Sequence, residues 1–521
     1  MRPSQTLVLL ILVLALAIPL PAQEQQPVAG KAAAAETAKP DVKPKTEEPA
    51  EPEPVVTHHE IRVGGKTLKY TATVGMMPIR NEEGETEAHI FFMAYTLDNP
   101  PDRAHRPLMF SFNGGPGSSS VWLHLGALGP RRVKLLSEGE MPSPPFALVD
   151  NEYTWLDQTD LVFIDPVGTG FSRPVKKELG KKFWSVEGDI DSVGEFIRLY
   201  LTRYERWGSP LFLVGESYGT TRAAGLSGYL IQNGIALNGI VLVSSVLNFE
   251  TLAFTTGNEL PYVLYLPTYT STAWHHKKLP ADLQAQPLEK ILPEVEHWAV
   301  TEYAEALAKG TALTPGERQA VVERLARYTG LKPGYIENAN LRVEQDNFCK
   351  ELLRDQNRTV GRLDSRFTGI DASGVSAAPD YDPSEAAIRP PFTSAFNNYV
   401  RTELGYKSDV RYNILGGLYR EWNWGSASRG FTDVSPDLRS ALVRNPYMKV
   451  FVASGHFDLA TPFFATDYTL DHLGLEPALR QHISSGEYDA GHMMYIRDDS
   501  LAKLKRDVAG FLAGALKGAD E

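Results

Sequence analysis

Short apolar runs that end in Gly, Pro or Asp recur through the chain. They include PLMFSFNGGPG, DLVFIDPVGTG, PLFLVGESYG, GIVLVSSVLNF and MKVFVASGHFD. Segments with helical spacing, such as DIDSVGEFIRLYLTRYERW and TRAAGLSGYLIQNG, lie between some of these runs. Apolar strands that alternate with helices favour a mostly parallel sheet covered on both faces. The pattern therefore predicts an α/β fold with a central sheet flanked by helices.

Two regions depart from this alternation. Folded sequence begins near His58, where EIRVGGKTLKYTATVG and AHIFFMAYTL predict further strands. Between about residues 250 and 390, aromatic residues mix with helical segments such as PGERQAVVERLARY and loops such as SAAPDYDP. Because strands resume at YMKVFVASG, we interpret this region as a largely helical lid inserted into one catalytic domain, residues 57–521.

The N-terminal residues 1–22 have the pattern of a signal peptide. Arg2 supplies positive charge, an apolar run follows from Leu7 to Leu20, and PAQ offers a small residue for cleavage. A membrane anchor is the alternative, but a spanning helix needs about 20 apolar residues, and Pro19 interrupts the run. Residues 23–56, rich in Ala, Pro, Glu and Lys, predict a disordered linker. We expect export, to the periplasm or the medium, without stable membrane insertion after cleavage.

Charge and cysteine content narrow the function. A formal charge of −12 and a pI near 5.6 argue against a nucleic-acid partner, because phosphate binding relies on clustered Lys and Arg. Cys349 is the single cysteine, which excludes an intramolecular disulfide. We expect it to be a small buried residue rather than a nucleophile. The histidine pairs His58-His59 and His275-His276 are adjacent, so neither pair shares one face of a regular element, and no metal site is expected.

The segment LFLVGESYG, followed by a helix-compatible stretch, contains the most informative motif. It matches the Gly-x-Ser-x-Gly nucleophile elbow in its required context of strand, turn and helix. Gly215 and Gly219 permit the sharp turn that would expose the hydroxyl of Ser217. The N-terminus of the following helix favours developing negative charge. The motif predicts a serine hydrolase with the α/β-hydrolase fold.

A nucleophilic serine needs a base and an orienting acid, which this fold supplies in the chain order Ser, Asp, His. Asp458 in VFVASGHFDLATP and His492 in DAGHMMY are the best candidates, since both follow predicted strands. Position alone leaves competitors open, namely His456, His472, His482, Asp467, Asp471 and Asp489.

A glycine-rich loop follows the strand PLMFSF. In Asn113-Gly114-Gly115-Pro116-Gly117, successive glycines let backbone N–H groups approach a substrate oxygen, as in the oxyanion loops of lipases and esterases. An ordinary turn would explain one or two of these glycines. We expect the backbone N–H groups of Gly115 and Tyr218 to form an oxyanion hole.

Together these motifs resemble the serine carboxypeptidase family. NGGPGSSS is similar to the family's Asn-Gly-Gly-Pro-Gly-Cys-Ser-Ser signature, and GESYG to its nucleophile motif. DPVGTGFS, GHFD and AGHMMY resemble further blocks, in the family's order, from about Phe110 to Tyr495. The resemblance implies removal of C-terminal residues from peptides, without a cofactor or a metal. It implies that Ser217, Asp458 and His492 form a catalytic triad. It also implies that Gly115 and Tyr218 form an oxyanion hole. The site for the substrate carboxylate would consist of Asn113, Gly114 and Glu216.

Three residues depart from the family pattern. Ala127 stands where a second carboxylate-binding glutamate is usual, Ser118 replaces a disulfide cysteine, and His456 replaces an aspartate near Asp458. Ala127 keeps two alternatives open: an esterase or an acyltransferase on the same scaffold. A non-catalytic binding protein is a third alternative, which the intact triad and glycine loop disfavour.

Overall fold

The first strand of the sheet begins within the last two residues of the predicted linker. The computed structural model describes residues 51–425 and 430–517. The predicted signal peptide and residues 23–50 of the linker therefore lie outside the described residues. Strand β1 begins at Val55, two residues before the expected domain start, because Val55 and Val56 pair with Val74 and Thr73 of the next strand.

The strands have the following bounds: β1 (Val55–Val63), β2 (Lys66–Arg80), β3 (Thr86–Leu97), β4 (Leu108–Phe112), β5 (Arg131–Val133), β6 (Leu148–Asp150), β7 (Asp160–Asp165), β8 (Arg173–Pro174), β9 (Leu211–Ser217), β10 (Gly239–Ser245), β11 (Thr359–Val360), β12 (Thr368–Gly369), β13 (Lys449–Gly455) and β14 (Ile483–Tyr488).

One large sheet has the strand order β1-β2-β3-β7-β4-β9-β10-β13-β14, with β8 paired to β3. From β7 to β14 the neighbours are parallel, whereas β1, β2, β3 and β8 are joined antiparallel at the other side. Carboxyl ends of parallel strands meet at one edge, so the residues after β4, β9, β13 and β14 come together there.

The helices have the following bounds: α1 (Val121–Leu123), α2 (Gly180–Phe183), α3 (Val186–Arg203), α4 (Tyr218–Gln232), α5 (Leu260–His275), α6 (Ala281–Gln284), α7 (Leu288–Trp298), α8 (Ala304–Lys309), α9 (Pro315–Thr329), α10 (Pro333–Asn338), α11 (Gln345–Glu351), α12 (Pro383–Thr402), α13 (Ser435–Arg444), α14 (Phe463–Asp471), α15 (Pro477–Arg480) and α16 (Asp498–Leu516). None of the described helices is long and apolar enough to cross a membrane.

Both faces of the central strands β4, β7, β9 and β10 are buried, which explains why these strands are largely apolar. Val214 belongs to the core on the side of α12 and α16, and its neighbour Leu213 to the core on the side of α3, α4 and α13. The expected α/β-hydrolase architecture, a mostly parallel sheet flanked by helices, is confirmed.

The region between β10 and β13 is largely helical. Helices α5, α7, α9 and α11 contribute to a separate apolar core that includes Tyr269, Trp298 and Phe348. Cys349 is buried in this core, and burial raises the pKa of its thiol above the usual range. It is thus a buried apolar side chain, as the sequence predicts.

Candidate active site

Ser217 is the last residue of β9 and immediately precedes α4. Its backbone has φ 59° and ψ −131°, a conformation that costs a non-glycine residue about 1–3 kcal/mol. The turn is tight, since a Cβ on Gly215 would lie 2.1 Å from the carbonyl oxygen of Gly219. Ser217 is partly exposed, whereas its chain neighbours are buried. The strand and helix therefore hold the serine hydroxyl at the floor of an open cavity.

His492 and Asp458, which follow β14 and β13, form a buried hydrogen-bonded pair. Nδ1 of His492 lies 2.7 Å from Oδ2 of Asp458. The hydroxyl of Thr461 donates to the same oxygen (2.7 Å), and the backbone N–H groups of Ala460 and Thr461 donate to Oδ1 at 2.8 and 2.9 Å. Because Asp458 accepts all these bonds, Nδ1 carries the hydrogen and Nε2 is left to act as a base.

Two opposing effects set the pKa of His492. Burial is the largest effect and lowers it, but the charge of Asp458, its hydrogen bond and the charge of Glu216 together outweigh burial, so that the pKa is raised above its usual value. The imidazolium that forms when His492 takes up a proton is therefore stabilised.

The competing residues have other partners or other locations. His456 lies 3.0 Å from Glu487 and 3.1 Å from Asp489, so it forms an ion cluster of its own. His482 precedes β14 and lies at the opposite edge of the sheet from His492. Among the described candidates, the hydrogen-bonded acid–base pair whose histidine lines the cavity of Ser217 is Asp458 and His492.

The glycine-rich loop packs directly on the serine turn. A Cβ on Gly114 would lie 2.4 Å from the backbone nitrogen of Tyr218, so glycine is required for this approach. Gly115 has φ +103°, in the region that favours glycine, and lines the same cavity as Gly114 and Ser217. The first N–H groups of α4 have no partner within the helix, which suits them to a developing oxyanion.

Glu216 is a buried carboxyl next to the serine. Its Oε2 accepts hydrogen bonds from Nδ2 of Asn113 (2.8 Å) and from the hydroxyl of Tyr495. Its Oε1 lies 4.0 Å from Nε2 of His492. Burial raises the pKa of Glu216 to about 7, although His492, Tyr495 and Asn113 each lower it. Glu216 can therefore hold a proton under mildly acidic conditions.

Three supporting residues escaped the sequence analysis. Thr461 holds Asp458, and Tyr495 holds Glu216. Arg222 donates to the backbone carbonyl of Asn113 (2.6 Å) and pairs with buried Asp189 (2.8 Å). The spacing Asp-x-x-Thr in DLAT is a local signal for side-chain capping of the Asp458 turn. Sequence spacing carries no signal for the contacts of Tyr495 and Arg222, which join distant segments.

A short segment between β11 and β12, residues 362–365, contacts the loops that carry the candidate acid and the candidate base. The carbonyl oxygen of Arg362 accepts from the backbone N–H of Leu459 (3.1 Å), and that of Leu363 from His492 (2.7 Å). The N–H of Gly491 donates to the carboxylate of Asp364 (3.1 Å). Segment 362–365 therefore helps to fix the positions of the acid and the base.

The cavity above Ser217 has a volume of about 440 Å³. One part of its wall is apolar, with Trp122, Ile388, Leu415, Trp424 and Met493. Charged side chains, Arg362, Asp382 and Glu385, line another part. No group of three or more metal-ligating side chains capable of holding an ion is present among residues 51–425 and 430–517.

A serine on a strand–helix elbow, with an acid and a base after later strands of a parallel sheet, defines an α/β-hydrolase. The family model of serine carboxypeptidases matches residues 66–500, and the chain belongs to this family. The family that the sequence motifs suggest is thus confirmed.

Individual relatives match only part of the chain, at modest sequence identity. The pheromone-processing carboxypeptidase KEX1 of Saccharomyces cerevisiae is 34% identical over 158 residues, which cover 28% of this chain and 20% of the relative. Serine carboxypeptidase-like 9 of Arabidopsis thaliana is 23% identical over 247 residues, covering 46% of this chain and 53% of the relative. The chain therefore matches about one fifth and about half of the length of these relatives.

Among solved structures, KEX1(delta)p, a prohormone-processing carboxypeptidase from Saccharomyces cerevisiae, superimposes with a TM-score of 0.53. The match covers 85% of this chain and 91% of that chain, at 18% sequence identity. At this identity the likeness shows the fold.

Proposed function

We propose that the protein is an exported serine carboxypeptidase that releases C-terminal residues from peptides through an acyl-enzyme on Ser217. The observation that supports this most is the position of Glu216. This carboxyl, buried and able to hold a proton, lies next to Ser217 and 4.0 Å from Nε2 of His492. A protonated carboxyl can bind a substrate carboxylate, whereas an ionised one would repel it.

In the first half-reaction, Nε2 of His492 takes the proton of the Ser217 hydroxyl as Oγ attacks the scissile carbonyl carbon. The backbone N–H groups of Gly115 and Tyr218 stabilise the oxyanion of the tetrahedral intermediate. His492 then gives its proton to the leaving amine, the C–N bond breaks, and the C-terminal amino acid departs. Asp458 keeps the imidazole oriented and stabilises its charged form.

In the second half-reaction, water replaces the released amino acid. His492 takes a proton from the water molecule as the water oxygen attacks the acyl carbon. It then gives a proton to Oγ of Ser217 when the ester bond breaks. The products are the shortened peptide and the free serine.

Asn113, Gly114 and Glu216 form the site for the terminal carboxylate of the substrate. Protonated Glu216 and the amide of Asn113 are hydrogen-bond donors, and Gly114 lets the chain pass close to the elbow. The apolar wall of the cavity, which includes Trp122 and Leu415, accommodates substrate side chains.

The test is a comparison of N-blocked dipeptides, their C-terminal amides and their simple esters across pH 4 to 8, with products identified by mass. We expect release of the free C-terminal amino acid from the dipeptides, fastest under acidic conditions. Hydrolysis of esters alone would contradict the proposal.

Export is the part of the proposal supported by residues 1–22. Expression of the full chain followed by fractionation and N-terminal sequencing should find a mature protein that begins near Gln23 outside the cytoplasm. A full-length protein retained in the cytoplasm would contradict export without affecting the proposed chemistry.

An esterase or acyltransferase is the second candidate, and Ala127 is the observation that favours it. This residue is fully buried and supplies a methyl group where the family usually has a carboxyl. Incubation with an ester and a competing amine or alcohol distinguishes an acyltransferase from a hydrolase. An acyltransferase forms the amide or the new ester in preference to the acid.

A further inference from the structure

Tyr495 is buried next to Glu216 and contacts it through its hydroxyl. Its side chain is 1% exposed, and its hydroxyl donates to Oε2 of Glu216. The ring lies against the backbone of Gly126, where a Cβ would come within 2.6 Å of the ring. Ala127, the next residue in the chain, is buried and carries only a methyl group. The phenol thus lies over the turn that carries Ala127.

Oε2 of Glu216 accepts two hydrogen bonds, one from Tyr495 and one from Asn113 at 2.8 Å. A proton on Oε2 would have to displace one of these donors. A proton on Oε1 displaces neither. Oε1 is also the oxygen that lies 4.0 Å from Nε2 of His492, and both residues line the cavity above Ser217.

We propose that Tyr495 is a positioning residue that keeps the proton of Glu216 on Oε1, where it faces the substrate. The class of ligand that this arrangement binds is an anionic group, and the inference rests on the proposed carboxypeptidase function, in which that group is the terminal carboxylate of a peptide. The phenol thereby makes a second carboxylic acid unnecessary at this site.

The arrangement has a distinct pH behaviour. Burial raises the pKa of Tyr495 well above its usual value, so the phenol keeps its hydrogen while Glu216 titrates. The charged and titratable groups that face Glu216 are His492 and, behind it, Asp458. Arg362, Asp382 and Glu385 line the same cavity. Loss of the proton from Glu216 removes the donor on Oε1 in a single ionisation, and carboxylate binding weakens as the pH rises.

The test compares the full-length protein with Tyr495→Phe and with Tyr303→Phe. Tyr303 is a matched control, because its buried hydroxyl donates to the carbonyl oxygen of Leu341 (2.6 Å) in the separate core of the lid region. For each protein, kcat and KM are measured from pH 5 to 9 on an N-blocked dipeptide and on its methyl ester.

We expect Tyr495→Phe to raise KM for the free-acid dipeptide about 5- to 10-fold at pH 5–6, and KM for the ester less than about 2-fold. The rise of KM with pH should also move to higher pH, since removal of a hydrogen bond to the ionised carboxylate raises the pKa of Glu216. Tyr303→Phe should leave the acid-to-ester ratio of KM unchanged.

An equal rise of KM for acid and ester, or an unchanged KM and pH profile, would overturn the role of Tyr495. If Tyr495→Phe does not fold, the wild-type protein provides the test. A plot of log KM for the free acid against pH should rise with a slope of about 1 above neutral pH. A slope of about 2 would mean that two groups titrate, which would overturn the proposal. Wild-type hydrolysis of the ester alone would instead contradict the proposed function, and the role of Tyr495 with it.

Discussion

Nε2 of His492 lies 4.0 Å from Oε1 of Glu216, so the candidate base and a titratable carboxyl act on each other's charge. At this distance, ionised Glu216 favours the imidazolium form of His492, and imidazolium favours ionised Glu216. The two groups therefore titrate as a pair. In the proposed reaction, substrate binding and proton transfer are coupled through this pair.

Replacement of the carboxyl tests this coupling. In Glu216→Gln the charge that raises the pKa of His492 is gone, so the pKa of His492 falls and the neutral base persists at lower pH. The acid limb of kcat on an ester substrate should move to lower pH. An upward shift would show that Glu216 does not stabilise the imidazolium.

Ser217→Ala should lower kcat about 10⁶-fold and abolish labelling by a fluorophosphonate. The loss follows because no other hydroxyl replaces the attacking Oγ. Ser484→Ala, a change on exposed strand residue Ser484, serves as the control and should retain both activities. Labelling that survives in Ser217→Ala would identify another nucleophile.

Asp458→Asn should lower kcat about 10⁴-fold with little change in KM, because the amide no longer holds the productive tautomer of His492. It also places an amide N–H₂ against donors from Thr461, which costs stability. Asp471→Asn breaks the exposed pair with Arg480 and should leave kcat unchanged. Kinetics together with thermal unfolding separate the two effects, and similar kcat values for both variants would exclude Asp458 as the acid.

Gly114→Ala should inactivate the protein, because its Cβ would lie 2.4 Å from the backbone nitrogen of Tyr218 and push the loop from the elbow. Gly510→Ala is the control: this residue lies in α16, and nothing lies within 4 Å of the added Cβ. It should be neutral or stabilising by up to about 1 kcal/mol. Activity and urea unfolding are the measurements, and an active Gly114→Ala would contradict the tight approach.

Arg222→Met should lower the free energy of unfolding by about 3–5 kcal/mol, because it leaves the carboxylate of Asp189 buried without its partner. The same change removes a hydrogen bond from the carbonyl of Asn113, so KM for free-acid dipeptides should rise. Arg198→Met, which breaks an exposed pair with Glu195, should cost less than about 1 kcal/mol. A similar cost for both variants in urea unfolding would contradict the burial argument.

The sequence predicted most where structure is local. The elbow at Ser217 lies within one strand, turn and helix, and the α/β fold follows from the alternation of strands with helices. Asp458 and His492 were open to competitors by position, and the family resemblance selected them. Their pairing at 2.7 Å is a tertiary contact between the ends of two strands.

The contacts of Tyr495 and Arg222 could not be predicted, because they depend on which side chains face a common interior after folding. Strand β1 begins two residues inside the predicted linker for a related reason. Val55 and Val56 follow a run rich in Pro and Glu, which indicates a linker. They belong to the sheet because they pair with β2 in the folded protein. The catalytic roles of the individual residues stay predictions until the variants are measured.

Segment 362–365 has a consequence for evolution and for protein engineering. Arg362 and Leu363 line the substrate cavity, and their backbone oxygens hold the loops of Asp458 and His492. An exchange of the predicted lid region between relatives would therefore replace residues 362–365. It would change the support of the candidate acid and base together with the surface that contacts the substrate. Under the proposed function, such an exchange would change specificity and turnover together, unless the junctions of the chimera left residues 362–365 in place.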